Sequence, residues 1–240
     1  MTTMYALHWD ALFHADCLAI LRHGLALTCL LALLSSALSL LAGTLLAVGR
    51  SSGHLLVRMP CSLFCHAVRS IPGVFWLILI FFCLPMLLSQ RAAFALNDWD
   101  GFPFWSAVAG LAIGGSPYFS DILFSFLSQE SDALSAARLS GLSGTAFWLF
   151  AALPPAFLFG FPALSARLLH QLKNTSLAMV ISVPELTWAS QEVESLTFAG
   201  LEATSMATLL YLVLGGTASA LLAAAERALR RRFPMGEDHA

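Results

Sequence analysis

The sequence predicts an all-α, polytopic membrane protein of about five transmembrane helices, and three observations carry that prediction. Of its 240 residues, 58% are hydrophobic and only 11% charged, with a mean hydropathy of +0.79. That is too little charge to cover the surface of a water-soluble domain. Apolar runs long enough to cross a bilayer recur along the chain, separated by short polar links. Arginine is unevenly shared among those links. With about five crossings, Arg50, Arg58, Arg138, Arg227, Arg230, Arg231 and Arg232 fall on one side, and Arg91 and Arg22 on the other. The positive-inside bias makes the richer side cytoplasmic, which puts the N-terminus outside and the C-terminus in the cytoplasm. The formal net charge of −2 is scattered in small clusters and forms no basic surface for nucleic acid.

Residues 1–23 are expected to form an amphipathic segment at the periplasmic interface. Leu7, Ala11, Leu12, Ala15 and Leu18 recur at helical spacing beside Asp10, His14 and Asp16. The segment has no early positive charge and no small-residue cleavage pattern, which argues against a removable signal peptide. His8, His14 and His23 lack convergent Cys or carboxylate spacing and fit solvated interfacial side chains better than metal ligands. The first span is 25–48, uncharged and about 36 Å long at the helical rise. The second, 59–88, is too long for one straight crossing. Pro60 and Pro72 permit a bend, and Arg69 stands near one end. An Arg in a span is a functional candidate, or else a side chain snorkelling to the headgroups. Cys61, Cys65 and His66 fall short of a tetrahedral ligand set and suit a packed helix face. Cys17, Cys29 and Cys83 complete an odd number, against a disulfide framework.

A polar link at 90–103 holds Asn97, Asp98 and Asp100, with Trp99 and Trp105 as interfacial aromatics. The third span, 104–127, contains Gly110, Gly114, Gly115 and Pro117 and suits close packing and bending. Asp121 marks its cytoplasmic end. Next comes an Ala/Ser/Gly-rich stretch. If 132–145 is helical, Ala133, Ala137 and Gly141 stack in one row and Ala136, Ser140 and Gly144 in the next, a face nearly free of side chains that lets a partner backbone approach. Gly141 and Gly144 favour a bend there, and Leu153, Pro154 and Pro155 are expected to stop the element. An ordinary cytoplasmic loop of the same composition is the other reading. Hydropathy alone places the fourth span at 146–166. The stretch from Trp188 to Glu202 carries Glu192 and Glu194 and no Lys or Arg, and the last span is 203–225. The tail is 231–240.

Four blocks, in order between about residue 24 and 186, resemble the polar amino acid branch of ABC-importer permeases. Gly24-Leu25 with Thr28 resembles the opening of that branch's first span, and Arg69-Ser70-Ile71-Pro72 its R-G/S-x-P signature. Ser135-Ala136-Ala137 with Gly141 and the later Leu153-Pro154 is similar to the EAA loop. Leu172-Lys173-Asn174-Thr175-Ser176-Leu177, with Ile181 and Pro184-Glu185-Leu186, looks like the LKxTSL…EL segment. The chain departs from the pattern in three places: the Glu that names the loop is Ser135, Asp132-Ala133 replaces the preceding Gly-Gln, and Leu123-Phe124-Ser125-Phe126 stands where Arg-Gly-Gly-Ile is usual.

The resemblance implies a type I ABC importer permease fold over 24–230. Its EAA-like coupling loop, at about 132–154, uses Ser135, Ala136, Ala137, Gly141, Leu153 and Pro154. By register with a family carboxylate, Asp121 is a second candidate for orienting that loop. The resemblance also moves the fourth crossing to 156–183. The polar run Lys173, Asn174, Thr175 and Ser176, together with Arg69 and Glu185, then lines a translocation pathway. The implied partners are a cytoplasmic ABC ATPase dimer, a periplasmic amino-acid-binding protein, a second permease subunit in a homo- or heterodimer, the amino acid substrate and membrane lipid, with no cofactor. The implied location is the bacterial inner membrane.

The chain is not expected to be an enzyme. It carries no phosphate-gripping G-x-x-x-x-G-K-[ST] loop and no usable nucleophile–base pair, so ATP hydrolysis falls to a partner. The long insert before the third span, with Arg69-Ser70-Ile71-Pro72, looks more like glutamate/aspartate-type permeases than histidine/arginine ones. The alternatives are a non-translocating structural partner of a second permease, which Ser135 favours, and a passive channel, which has no need of a docking loop.

Overall fold

The computed structural model describes residues 7–128, 137, 139 and 141–233. Among these every regular element is helical. The long helices are α1 (Ala15–Arg50), α2 (Leu55–Ser70), α3 (Gly73–Ile78), α4 (Gln90–Asn97), α5 (Phe102–Leu127), α6 (Leu153–Asn174), α7 (Leu186–Thr197) and α8 (Gly200–Arg232). Four stretches are long and apolar enough to cross a membrane: Ala15–Arg50, Phe102–Leu127, Gly144–Ile181 and Gly200–Arg232. A broken pair, Leu55–Ser70 with Gly73–Met86, raises the number to as many as 5.

Several boundaries differ from the sequence reading, each for a local reason. Residues 1–23 do not form a separate amphipathic helix within the described residues. Trp9–Phe13 is a 3-10 turn, and α1 already begins at Ala15. Of its apolar stripe only Leu12 is buried, and it packs with Cys17 and Leu21 against α7 and α8, while Leu7 and Leu18 stay exposed. The second span breaks where Ile71, extended at φ −105° and ψ 129°, precedes Pro72, because a residue before proline is driven out of the helical region. The link at 90–103 contains the helix α4. At the other end α8 runs past residue 225 to Arg232, supported by the Glu226–Arg230 pair one turn apart.

Pro154 and Pro155 do not stop the chain's path but open α6. A π-helical stretch, Phe147–Ala152, leads directly into them, and the Leu153 N–H donates to Trp148 O. Widening the turn relieves the clash of a proline ring with the carbonyl four residues back and absorbs the missing N–H. The same device recurs at Pro85, which follows the π stretch Leu79–Cys83.

The chain divides into two compact units. One comprises the described residues up to Ser36 with Gly73–Leu111 and Gln171–Gly216. The other comprises Ala37–Pro72, Ala112–His170 and the described residues from Thr217 onward. The first unit has two cores. One joins Leu12, Cys17 and Leu21 to Leu186, Ala189 and Val193 of α7 and to Ala199, Ala203 and Ala207. The other joins Leu31 and Leu77 to Ala107, Val108 and Leu111 of α5 and to Ala178, Ile181 and Val183. Gly24 makes the first core possible, since a Cβ there would stand 2.6 Å from the Ala189 Cβ and 3.1 Å from the Leu186 Cα. In the second unit, Ala47, Phe119, Leu123, Ala156 and Leu164 are buried together.

Candidate functional site

The polar run Lys173, Asn174, Thr175 and Ser176 lies where α6 tightens. The α-helix ends at Asn174 and continues as a 3-10 helix from Thr175 to Ile181. Lys173 and Ser176 line an open cleft of about 450 Å³ in the first unit together with Thr187 and Ser190 of α7 and Thr204, Thr208 and Tyr211 of α8, and Leu172, Ala207 and Leu212 make its wall largely apolar. Thr175 is instead fully buried and donates to Leu172 O at 2.8 Å.

Glu185, expected on the pathway, is 0% exposed. Its carboxylate is the N-cap of α7: Oε2 accepts from the Thr187 N–H at 2.9 Å and Oε1 from the Trp188 N–H at 3.0 Å. Tyr211 donates its phenol hydrogen to Oε2 at 2.6 Å. Thr28 takes the next orphan donor, the Leu186 N–H, at 3.0 Å. Glu185 therefore acts on the cleft through Tyr211, which lines it. The two blocks that opened and closed the resemblance, Gly24 with Thr28 and Glu185 with Leu186, meet here in one helix contact.

Arg69 belongs to the other unit. Its Nη1 pairs with Asp121 Oδ2, and its Nε donates to Cys65 O at 3.2 Å, so it is held by protein rather than snorkelling. Arg50 reaches Asp121 Oδ1 at 2.6 Å and Ser120 Oγ at 3.1 Å and lies over the Phe124 ring. Asp121 thus ties the C-terminal ends of α1 and α2 to α5.

Of the proposed docking segment, Ser135 and Ala136 lie outside the described residues, as do Asp132, Ala133, Arg138 and Ser140. Ala137 and Leu139 are helical, and the stacked row does not extend to Gly141, which sits at φ +91°. The Leu142 N–H returns to Ala137 O at 3.1 Å. Together these are the marks of a Schellman cap ending a helix at a left-handed glycine. Gly144 is also left-handed, at φ +60°, so the expected bend is present. Leu153 and Pro154 begin α6, beyond the π stretch.

Sequence reasoning passed over Tyr211 and Gln171. Tyr211 is the one aromatic residue of 203–225, a usable signal in an otherwise aliphatic span. Gln171 is buried, and its Nε2 donates to Leu111 O at 2.9 Å. Only its partner's position gives it meaning.

No family model matches the chain. It is 29% identical over 223 residues to the glutamine transport system permease protein GlnP of Escherichia coli K12, covering 92% of this chain and 97% of that one. It is 27% identical over 205 residues to the histidine/lysine/arginine/ornithine transport system permease protein HisM of Salmonella typhimurium LT2, covering 85% and 87%. Its fold matches that of a solved amino acid ABC transporter with histidines, at a TM-score of 0.77 and 23% identity over 93% of this chain and 100% of the other. A chain of the inward-facing MetNI methionine ABC transporter matches at 0.70 and 17% identity, over 90% and 99%. These last two likenesses establish the fold.

Proposed function

We infer, from the premise that its homologues are amino acid ABC permeases, that this multi-pass membrane chain is the membrane-spanning subunit of an ATP-driven importer of polar amino acids in a bacterial inner membrane. The observation that carries the reading is similarity along nearly the whole length of both chains, 92% of this one and 97% of the glutamine permease. The N-terminus lies outside with segment 1–23 at the periplasmic interface, and the tail 231–240 is cytoplasmic. The 132–154 segment then faces the cytoplasm, where an ABC ATPase dimer docks and supplies the hydrolysis. A periplasmic binding protein delivers the amino acid, and a second permease subunit, identical or related, completes the pathway.

The mechanism is alternating access. Closure of the ATPases pulls on the segment ending at Gly141, tilts the helices and opens the pathway outward. Asp121, with Arg50 and Arg69, stands at the start of that transmission. Lys173 and Ser176 face the pathway. For the substrate we propose the glutamate/aspartate type, supported by Arg69-Ser70-Ile71-Pro72 and the long insert before α5.

The rival reading, a structural partner that moves no substrate, is favoured by Ser135 in place of the usual Glu. Reconstitution in proteoliposomes with ATPase and binding protein separates the possibilities. Substrate-stimulated hydrolysis with uptake is the expected outcome. Flux without ATP points to a channel, and neither activity points to the scaffold.

A further inference from the structure

We propose that Arg167 of α6 marks the surface on which a second permease of different sequence packs, and that this partner supplies an Asp or Glu side chain to it. The inference rests on the importer reading and narrows it, because a pair of identical chains is then excluded.

Arg167 lies in the second unit, well inside the apolar stretch Gly144–Ile181. Its guanidinium stacks 4.0 Å from the centroid of the Tyr118 ring of α5, and its Nη1 lies 3.1 Å from His170 Nδ1. A guanidinium only donates, so His170 accepts on a Nδ1 lone pair and is neutral in this arrangement. The Arg167 Nε–H is buried and finds no acceptor. Among the described residues no carboxylate pairs with Arg167. A ring face and a neutral imidazole soften a charge without cancelling it, and an uncancelled charge at bilayer depth is costly.

Three sources of the missing anion fit poorly. On the proposed topology, a guanidinium snorkelling to the cytoplasmic headgroups would turn toward the N-terminal end of α6. This one turns the other way, to His170. A substrate carboxylate comes and goes with each cycle, whereas a charge held by the fold needs its counter-ion in the empty transporter too. A second copy of this chain has no acid to give among its described residues. Asp121 is shared by Arg50 and Arg69, and Glu185 caps α7. The others stand in 10–16, 98–100 and 192–202, on the side read as periplasmic, or pair as Glu226 does with Arg230. Two identical subunits on a two-fold axis would add a second arginine and no acid.

The face beside Arg167 suits a helix. Phe159, Pro162, Ala163, Ala166 and His170 are exposed at helical spacing along α6. The opposite side is closed by α5, where a Cβ at Gly160 would stand 3.2 Å from the Phe126 ring. Ala163 and Ala166, at the middle of the exposed face, let a partner backbone approach closely within the bilayer. His170 adds a polar group, which protein accommodates better than lipid tails.

The test uses the whole complex, purified in detergent through a tag on this chain, with photoreactive p-benzoylphenylalanine in place of Ala166. Native mass spectrometry is expected to count one copy of this chain with one different permease. The cross-linked peptide is expected to come from that permease and to hold Asp or Glu within about one helical turn of the bond. Arg167→Lys keeps the assembly, and Arg167→Met weakens association of the two permeases at least about tenfold. Where a single variant fails to accumulate, Arg167→Glu combined with arginine at the cross-linked acid decides, and the swapped pair is expected to assemble. Two copies of this chain in one complex, cross-links to lipid alone, a swapped pair that does not assemble, or Arg167→Met that assembles as wild type overturns the inference. ATP-driven uptake is scored separately. Uptake by a complex holding two copies of this chain sinks the unlike pair alone, whereas no amino acid-stimulated hydrolysis sinks the importer reading.

Discussion

Arg50, the last residue of α1, and Asp121 of α5 form an ion pair at 2.6 Å in which the arginine side chain is 10% exposed and the carboxylate 32%. Arg69 holds the other carboxylate oxygen, so a single acid restrains two cations. Asp121→Asn leaves both uncompensated, one of them almost fully buried. The expected loss of stability is about 2–4 kcal/mol, at the lower side of the figure for a fully buried pair because the acid is partly solvated. Thermal denaturation of the purified protein in detergent reads it, and a melting temperature equal to wild type would count against the restraint.

Glu185 and Tyr211 make a second, differently weighted pair. Tyr211→Phe removes one charge-assisted bond and leaves the α7 cap in place, costing about 1–2 kcal/mol. Glu185→Ala strips the acceptor from two helix N–H groups and from the phenol together, at about 2–4 kcal/mol. The order of the two variants in chemical denaturation is the check; Tyr211→Phe as the more harmful would show that the phenol has a further role.

Gly141 tests the docking segment. Its φ of +91° disfavours any side chain, yet a Cβ there would meet nothing within 4 Å. Alanine and tryptophan should therefore cost the isolated permease similar amounts, about 1–2 kcal/mol of backbone strain, and asparagine less. Bulk matters only if a partner covers the site. Gly141→Trp is expected to abolish uptake and substrate-stimulated hydrolysis where Gly141→Ala merely lowers them, and identical losses would remove the case for a partner at this position.

The contact between α1 and α7 depends on Gly24. Gly24→Ala sets a methyl 2.6 Å from the Ala189 Cβ, and about 1–3 kcal/mol of overpacking strain follows. Pairing it with Ala189→Gly relieves the nearest clash, so the double variant should recover part of the loss. Strictly additive effects in a double-mutant cycle would argue that the two helices do not meet there.

Much of the architecture was legible beforehand. The spans near 25–48, 104–127 and 203–225 all fall inside helices, since a membrane-crossing segment must satisfy its own backbone hydrogen bonds and display apolar side chains. Pro154 and Pro155 misled because a proline is only a local signal, and the π turn that accommodates it depends on the packing of Phe147 and Ala152, both buried. Arg69 was singled out, but its partner was invisible: Asp121 lies 52 positions away. Glu185 was picked by motif as a pathway residue; the structure buries it and gives its carboxylate to the Thr187 and Trp188 N–H groups as the cap of α7.

By itself the sequence determined the class of protein, the number of crossings to within one, and the residues at which the chain departs from simple hydropathy. These follow from sums over neighbouring residues, and lipid imposes the same sum on every span. Tertiary structure alone decided which polar groups satisfy each other: Thr28 with the N–H of Leu186, 158 positions apart, and Arg50 with Asp121, 71 apart. A buried donor or charge must find a partner somewhere in the fold, and which partner is within reach is set by how the helices pack.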